Sequence, residues 1–520
     1  MKLSKFSIVA STGAALSLFA FSAGAQTAFQ QDVNSSINLG IEWLATDGAF
    51  NNPSTAGPAS GLVLLALLEK RASASPDAAP QGYAGASDTD KARMRRVVAY
   101  MLADVGNVPF DLSYRDGNYL SGLSFYLRTG GVDRGAHPDL PAALPYSVVG
   151  ALNTMFDRVR SYQRPSGYWC YGPSYADCDD SSTTQFVVAG LAGLRAVYST
   201  GTPWADAVRL GQLNAMLTLA RQGYATNGSV SLASAACGDL GGGERGHGYN
   251  VGDTPTLQQT GSGTWVQLAG GADLNDAGVQ GYLQWLRNRY RYSNLGNAGA
   301  GWPSYWYYLW TTAKTFLFIR AAEVAPTPGN LTVSDIGVLP AASAPACAER
   351  EVHRDPATDS RIALFGAGGA GFYAAQPVDF YYDFAYEVMR RQQASGQFTD
   401  AFGSSSWNTY SRQAYALLIL QRSVAGGCID ANDDGQCDID VAPSRLLCDA
   451  DGNGKIEASD VTAVGKLISG RYPMSVPVNP GNAWANYAQA GASATVIDIN
   501  DYWQCSYVRS GSSKYPLKYF

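Results

Sequence analysis

The feature that most constrains this chain is a repeat. Between Val33 and Val424 a helical stretch, a Gly-rich loop and a second, more apolar helical stretch recur six times. The spacing predicts helix pairs at 33–46 with 59–71, 89–105 with 118–129, 146–162 with 180–199, 204–222 with 254–269, 275–292 with 304–323, and 378–394 with 405–422. The third pair shows the pattern best. Phe186, Val187, Val188, Leu191, Leu194 and Val197 recur at intervals of about three and four, which is one face of a helix. Asp180, Ser181 and Ser182 precede them, and short side-chain oxygens there can accept the free N–H groups of a first turn. One member of each pair is apolar nearly all round, as in LVLLALL at 62–68 and AYALLIL at 414–420, so it is buried on most sides. A period of roughly 40–60 residues with two helices per unit means a stacked or closed array. An open row leaves apolar end faces, and a ring of six pairs does not. The expected fold class is therefore all-α, an (α/α)6 toroid, with a long insertion at about 325–376.

Residues 1–25 have the form of a secretory signal peptide. Lys2 and Lys5 start it, an apolar run covers 6–21, and Ala23-Gly24-Ala25 is a cleavage site. The expected address is secreted, extracellular or periplasmic, with no transmembrane segment in the mature chain. The net charge of −6 and the lack of a basic run argue against a nucleic-acid partner. The eight cysteines all follow the signal, and an even number in an exported chain favours disulfides. Proximity in the proposed fold pairs Cys170 with Cys178, Cys237 with Cys347, Cys428 with Cys437, and Cys448 with Cys505.

The loop at 163–180 carries a Gln-x3-Gly-x-Trp box, Gln163, Gly167 and Trp169. The box recurs as Gln392, Gly396 and Phe398, and SRQAYALLILQRS then mirrors STTQFVVAGLAGL. Over roughly residues 30–424 the chain resembles the repeats of the prenyltransferase and squalene-cyclase superfamily. The resemblance implies a toroid of residues 26–424 in which the glutamine and tryptophan side chains fasten one helix pair to the next. It does not select an activity, because such toroids host unrelated chemistries and also non-enzymes.

After Gly427 the composition turns to Asp, Asn, Gly and Cys, which marks a second domain at 425–520. Residues 448–470 follow the pattern of an EF-hand-type calcium loop. Asp449, Asp451 and Asn453 hold positions one, three and five, Gly454 the sharp turn, Lys455 a carbonyl ligand, and Asp460 the closing position. Calcium needs several hard oxygens around one point, and this alternation supplies them. Aspartate at position twelve resembles dockerin modules, which implies calcium as cofactor and a cohesin-like or cell-surface protein as partner. The second half-repeat, at 490–505, has Ala490, Ala492 and Ala494 where ligands belong, so it is expected to be empty. Asp430, Asn432 and Asp434 have the alternation of thrombospondin-type calcium repeats. They read either as a second calcium site or as a solvated acidic linker.

Four features bear on chemistry. Asp177-Cys178-Asp179-Asp180 is similar to the D-x-D-D motif of class II terpene cyclases. Crowded carboxylates cannot all ionise, so one keeps its proton and serves as an acid. The resemblance gives that role to Asp179, in front of an aromatic wall of Tyr119, Tyr126, Trp265, Trp302, Tyr305, Trp306, Tyr308, Trp310, Trp407 and Tyr410 that would stabilise carbocations. The plain alternative is a helix cap on a disulfide-tied loop. Glu244 and His247, in the Gly-rich stretch 236–250, form either an acid/base pair or part of a plain loop. His137, His247 and His353 stand at no zinc spacing. Gly366, Gly368 and Gly371 match a dinucleotide fingerprint only by letter, with no surrounding βαβ unit.

Three functions follow. The first is a secreted calcium-binding toroid, a binding or structural component of an extracellular, polysaccharide-related system, taking a glycan or apolar ligand in its cavity. The second is a glycan-active enzyme, which needs two carboxyl groups ~5–10 Å apart. The third is a cyclase-like enzyme, which needs Asp179 buried and pointing into a closed aromatic cavity.

Overall fold

The computed structural model describes residues 26–71, 74–75, 78–200, 202–228, 236–299, 304–338, 346–366, 371–399, 408–424, 475–477, 496–510 and a few single positions between 448 and 469. It is helical. The helices of the main body are α1 (Ala28–Thr46), α2 (Ser60–Leu68), α3 (Asp88–Asp104), α4 (Leu112–Arg128), α5 (Val148–Ser161), α6 (Ser181–Tyr198), α7 (Ala207–Asn227), α8 (Leu257–Ala269), α9 (Ala277–Asn288), α10 (Tyr305–Ala321), α11 (Phe380–Arg390) and α12 (Thr409–Leu420). Their starts are written in the sequence. Thr27, Ser87, Ser147, Asp180, Asp206, Thr256, Asp379 and Asn408 each precede a helix and accept a first-turn N–H through the side chain.

The even-numbered helices bury almost every residue, and the odd-numbered ones bury one face, except α11, which is buried over most of its length. α2 packs on α4, α4 on α6, α6 on α8, α8 on α10 and α10 on α12, and α12 returns to α2. The odd helices lie on this cycle, α3 against α2, α5 against α4, α7 against α6 and α8, α9 against α8, and α1 and α11 against α12. α4 is packed closely on both sides: a Cβ at Gly61 of α2 would overlap the Asn118 backbone, one at Gly117 the Phe186 backbone of α6, and one at Gly190 the Gly117 carbonyl. That packing explains why α4 begins at Leu112 and not at the expected 118. Asp-Gly-Asn at 116–118 reads as a turn by propensity, but burial against α6 holds it helical.

Two boxes tie the pairs together. Gln163 donates from Nε2 to the Met216 carbonyl of α7 at 2.9 Å, and Gly167, at φ +93°, lies on the backbone of Leu219. Gln392 does the same for the last pair. Its Nε2 donates to the Ser36 carbonyl of α1 at 3.0 Å, and its Oε1 accepts from Ser36 Oγ at 2.6 Å. Gln413 Nε2 donates to the Gly40 carbonyl at 3.1 Å. The end of α12 is fixed to α2 by Gln421 Nε2 on the Ala66 carbonyl at 2.8 Å and by Ser423 Oγ on Glu69 Oε1 at 2.7 Å. The insertion is strapped to α1 by Arg361 and Tyr373, both on Asp32, and to the 236–250 loop by Cys237–Cys347.

Cys170–Cys178 and Cys448–Cys505 are also bonded as expected, and the Cys428–Cys437 pairing lies outside the described residues. The tail shows β1 (Ser475–Pro477) antiparallel to β2 (Val496–Asp498), and α13 (Ile499–Arg509). The expected calcium ligands Asp449, Asp451, Asn453, Lys455, Asp460, Asp430, Asn432 and Asp434 lie outside the described residues.

Gly396 has φ +93° and a Cβ there would strike the Leu39 carbonyl. Gly396→Ala should therefore lower stability by ~3 kcal/mol, combining left-handed strain with a backbone clash. Gly48→Ala, at φ +98° with open space around it, should lose about 1 kcal/mol. Equal losses in chemical denaturation would contradict the clamp.

Candidate functional site around Asp180

The loop before α6 sorts its three aspartates. Cys170–Cys178 pinches it, and a bridge between Trp169 and Asp180 sets its base. Arg164 donates from Nε to Asp179 Oδ1 and from Nη1 to Asp177 Oδ1, both at 2.8 Å. Ser166 Oγ adds a bond to Asp179 Oδ1 at 2.6 Å. Asp177 is fully exposed and the Asp179 side chain is 23% exposed. The expected acid, Asp179, is therefore an arginine-paired carboxylate near the surface and is not turned into the interior. A single arginine explains this, because it neutralises both residues and keeps them at the loop's rim.

Asp180 is the aspartate that goes inside. It is 0% exposed. Its Oδ1 caps α6, accepting from Thr183 N at 2.9 Å and Ser182 Oγ at 2.7 Å. Its Oδ2 makes no hydrogen bond of good geometry. The Tyr249 hydroxyl approaches closely enough to favour the ionised form, but burial outweighs it and pushes the carboxyl up from its ordinary range. Five tyrosines feel its charge: Tyr114 on α4, Tyr224 on α7, Tyr307 on α10, and Tyr171 and Tyr249 on loops. Burial keeps all five hydroxyls protonated, so they can donate. Tyr114 bonds Ser182, Tyr171 bonds Tyr249, and Tyr224 donates to Ser181 Oγ at 2.9 Å. Tyr307 pairs with Ser262 Oγ at 2.7 Å and donates to Gln185 Oε1 at 3.2 Å. Gln185 Nε2 is buried with no partner.

The expected aromatic wall divides. Tyr119, Tyr126, Tyr305 and Tyr308 hydrogen-bond to loops or to the outer layer, through Asp104, Val132, Tyr292 and Arg291 respectively. Tyr410 bonds Asp47 at the edge. Trp310 stacks on Tyr415 at 4.9 Å and lies 5.5 Å from Phe186, while Trp306 lies 6.0 Å from Phe398. Trp302 and Trp407 are outside the described residues. Along α10 the run Tyr-Trp-Tyr-Tyr at 305–308 turns each ring by 100°, so Tyr307 and Trp310 share one face while Tyr305 and Tyr308 turn outward.

Glu244 and His247 do not form an acid/base pair. Glu244 is locked by both Nη atoms of Arg289 at 2.9 Å and by Asn288 Nδ2 at 2.6 Å. His247 donates from Nδ1 to the Gly248 carbonyl at 2.7 Å, so its Nε2 accepts from the Tyr168 hydroxyl at 2.8 Å. A dyad that spacing does not reveal joins the insertion to α11. His353 Nδ1 meets Asp383 Oδ2 at 2.5 Å, and Tyr290 donates to the same oxygen at 2.6 Å. Among the described residues no three His, Cys, Asp or Glu side chains converge as a metal site, and no helix is long and apolar enough to cross a membrane.

Compared with known proteins, the chain matches no protein-family model and no curated protein.

Burial lowers His247 to a pKa of about 4. The unfolded chain then takes up a proton near pH 6.5 that the folded chain refuses until about 4. Stability is therefore unaffected by this residue above pH 6.5 and falls by about 3 kcal/mol as pH drops through that window. His247→Gln should flatten that segment of the denaturation-versus-pH curve, and an unchanged slope would contradict the assignment.

Proposed function

We propose that the mature chain is an exported (α/α)6 toroid of the prenyltransferase and squalene-cyclase type, carrying a dockerin-like calcium module, whose ring interior binds a hydroxyl-rich, glycan-like ligand at Asp180. The cycle of even-numbered helices and the clamp from Gln392 to α1 support the toroid. The observation that carries the binding reading is the company that buried carboxyls keep. Asp32, Asp116, Glu244 and Glu387 each face an arginine, Asp90 faces Lys70 and Arg93, and Asp383 faces His353. Glu69 lies near Arg71. Asp180 has hydroxyl and backbone partners and an open Oδ2. Among the described residues it is the buried carboxyl with no cationic partner, and its setting of tyrosine hydroxyls and a spare amide suits recognition of hydroxyls. Two-carboxylate hydrolysis would need a second such group beside it.

The reading is tested by a binding screen of glycans and polyprenoids, with and without a chelator. A glycan should bind, Asp180→Asn should weaken it at least tenfold, ~1.4 kcal/mol, and Asp179→Asn should leave it unchanged. Chelation should destabilise the tail module without abolishing binding. No ligand, or equal affinity for Asp180→Asn, would refute the reading. A second reading is favoured by one observation, the raised pKa of buried Asp180. In it Asp180, in place of Asp179, acts as the acid of a cyclase-like reaction, and turnover of a polyprenoid that Asp180→Asn abolishes would select it.

A further inference from the structure

The body of α10 is aromatic and apolar apart from three threonines and Lys314, a charged residue that is 0% exposed, while Arg320 lies in its last turn. Its Nζ has no hydrogen-bond partner. It lies 4.1 Å from the ring centre of Trp310, one turn back on α10, and 4.6 Å from that of Trp265 on α8. Trp265 is held in turn edge-on against Phe318 at 5.2 Å, and Trp310 flat against Tyr415. The amine is thus fixed between two indoles in the inner layer.

Burying an ammonium without a counter-ion is costly, and ring faces offset only part of that cost. The amine escapes that cost by releasing its proton, and burial alone holds its pKa well below the ordinary lysine value. What the fold holds there is an amine with no hydrogen-bond partner between two ring faces. A position that served packing alone would be better filled by methionine.

We propose that Lys314 is a nucleophile that captures an aldehyde or ketone bearing a flat apolar body, as an imine, between Trp265 and Trp310. The nitrogen lone pair attacks the carbonyl carbon, and the C=O π electrons move to oxygen. One proton passes from nitrogen to that oxygen to give a carbinolamine. Loss of the second N–H proton with the hydroxyl releases water and leaves C=N. The sum is amine plus carbonyl giving imine plus water, with no change of oxidation state. A desolvated lysine between ring faces suits this chemistry because burial favours the neutral form, whose nitrogen carries the attacking lone pair. The indoles then stack on the conjugated body of the adduct. The inference does not depend on ligand binding at Asp180, whose residues are different.

The test uses the full mature chain with calcium, cinnamaldehyde, and cyanoborohydride to reduce any imine to a stable secondary amine, followed by peptide mapping. The expected result is labelling of Lys314 at least tenfold above any surface lysine, with acetaldehyde in place of cinnamaldehyde giving no such preference. Lys314→Met should lose that label while raising the denaturation midpoint, because it removes an unsatisfied buried group. An unlabelled Lys314 after the surface lysines have reacted would overturn the proposal. So would equal preference for acetaldehyde. A lower denaturation midpoint for Lys314→Met would do the same, since it would give the amine a purely structural partner.

Discussion

Amide side chains reading the backbone of the first helix hold the last helix pair in place, and the rest of the architecture hangs on that contact. Gln392 and Gln413 donate to the Ser36 and Gly40 carbonyls of α1. They reach them because Gly396 lets the loop lie on Leu39 and Gly40 leaves room for Leu417. Gln163 and Gly167 repeat the device against α7. Each such bond contributes only about 1 kcal/mol net, yet leaving a buried amide unmet costs more. The clamp therefore works as a register mark as much as a source of stability. It brings the start of α12 beside α2, where Asn408 donates to the Ala56 carbonyl at 3.0 Å.

Charge inside this body is almost all balanced. Arg115 and Arg158 converge on Asp116, both Nη atoms of Arg289 hold Glu244, and Arg354 reaches Glu387. Removing one member of such a pair leaves a stranded charge and costs roughly 3–5 kcal/mol. These pairs join inner helices to outer ones and loops to both. Among the described residues Asp180 and Lys314 are buried without an ionic partner, and they respond to burial in opposite chemical senses but to the same end. The acid gains a proton more readily and the amine loses one, so each favours neutrality. Tyr307 and Trp310, one turn apart on α10, place Asp180 and Lys314 along one helix face.

Much of the helical layout was legible where a capping residue and apolar periodicity agree, as at Asp180, whereas α1 begins at Ala28, a full turn before the expected 33, and α12 at Thr409, after the expected 405. The first turns of α4 were not legible, because Asp-Gly-Asn carries a turn signal that close packing on α6 overrides. Within the D-x-D-D stretch the residues alone do not tell which aspartate is buried, since nothing local says that Arg164 faces Asp177 and Asp179. The tyrosines around Asp180 come from α4, α7, α10 and two loops, and no spacing links positions so far apart. Lys314 did leave a mark, a cation in the middle of an aromatic helix, which becomes meaningful only once α8 brings Trp265 beside it.

Native-state hydrogen exchange tests the closure of the helix cycle most directly. If α12 seals against α1 and α2, the amides of α1 should open together with those of α12, at a free energy near that of global unfolding, and Gln392→Ala should lower both in step. Exchange of α1 amides at rates close to free fraying, with α12 still protected, would show that the first and last pairs are not joined.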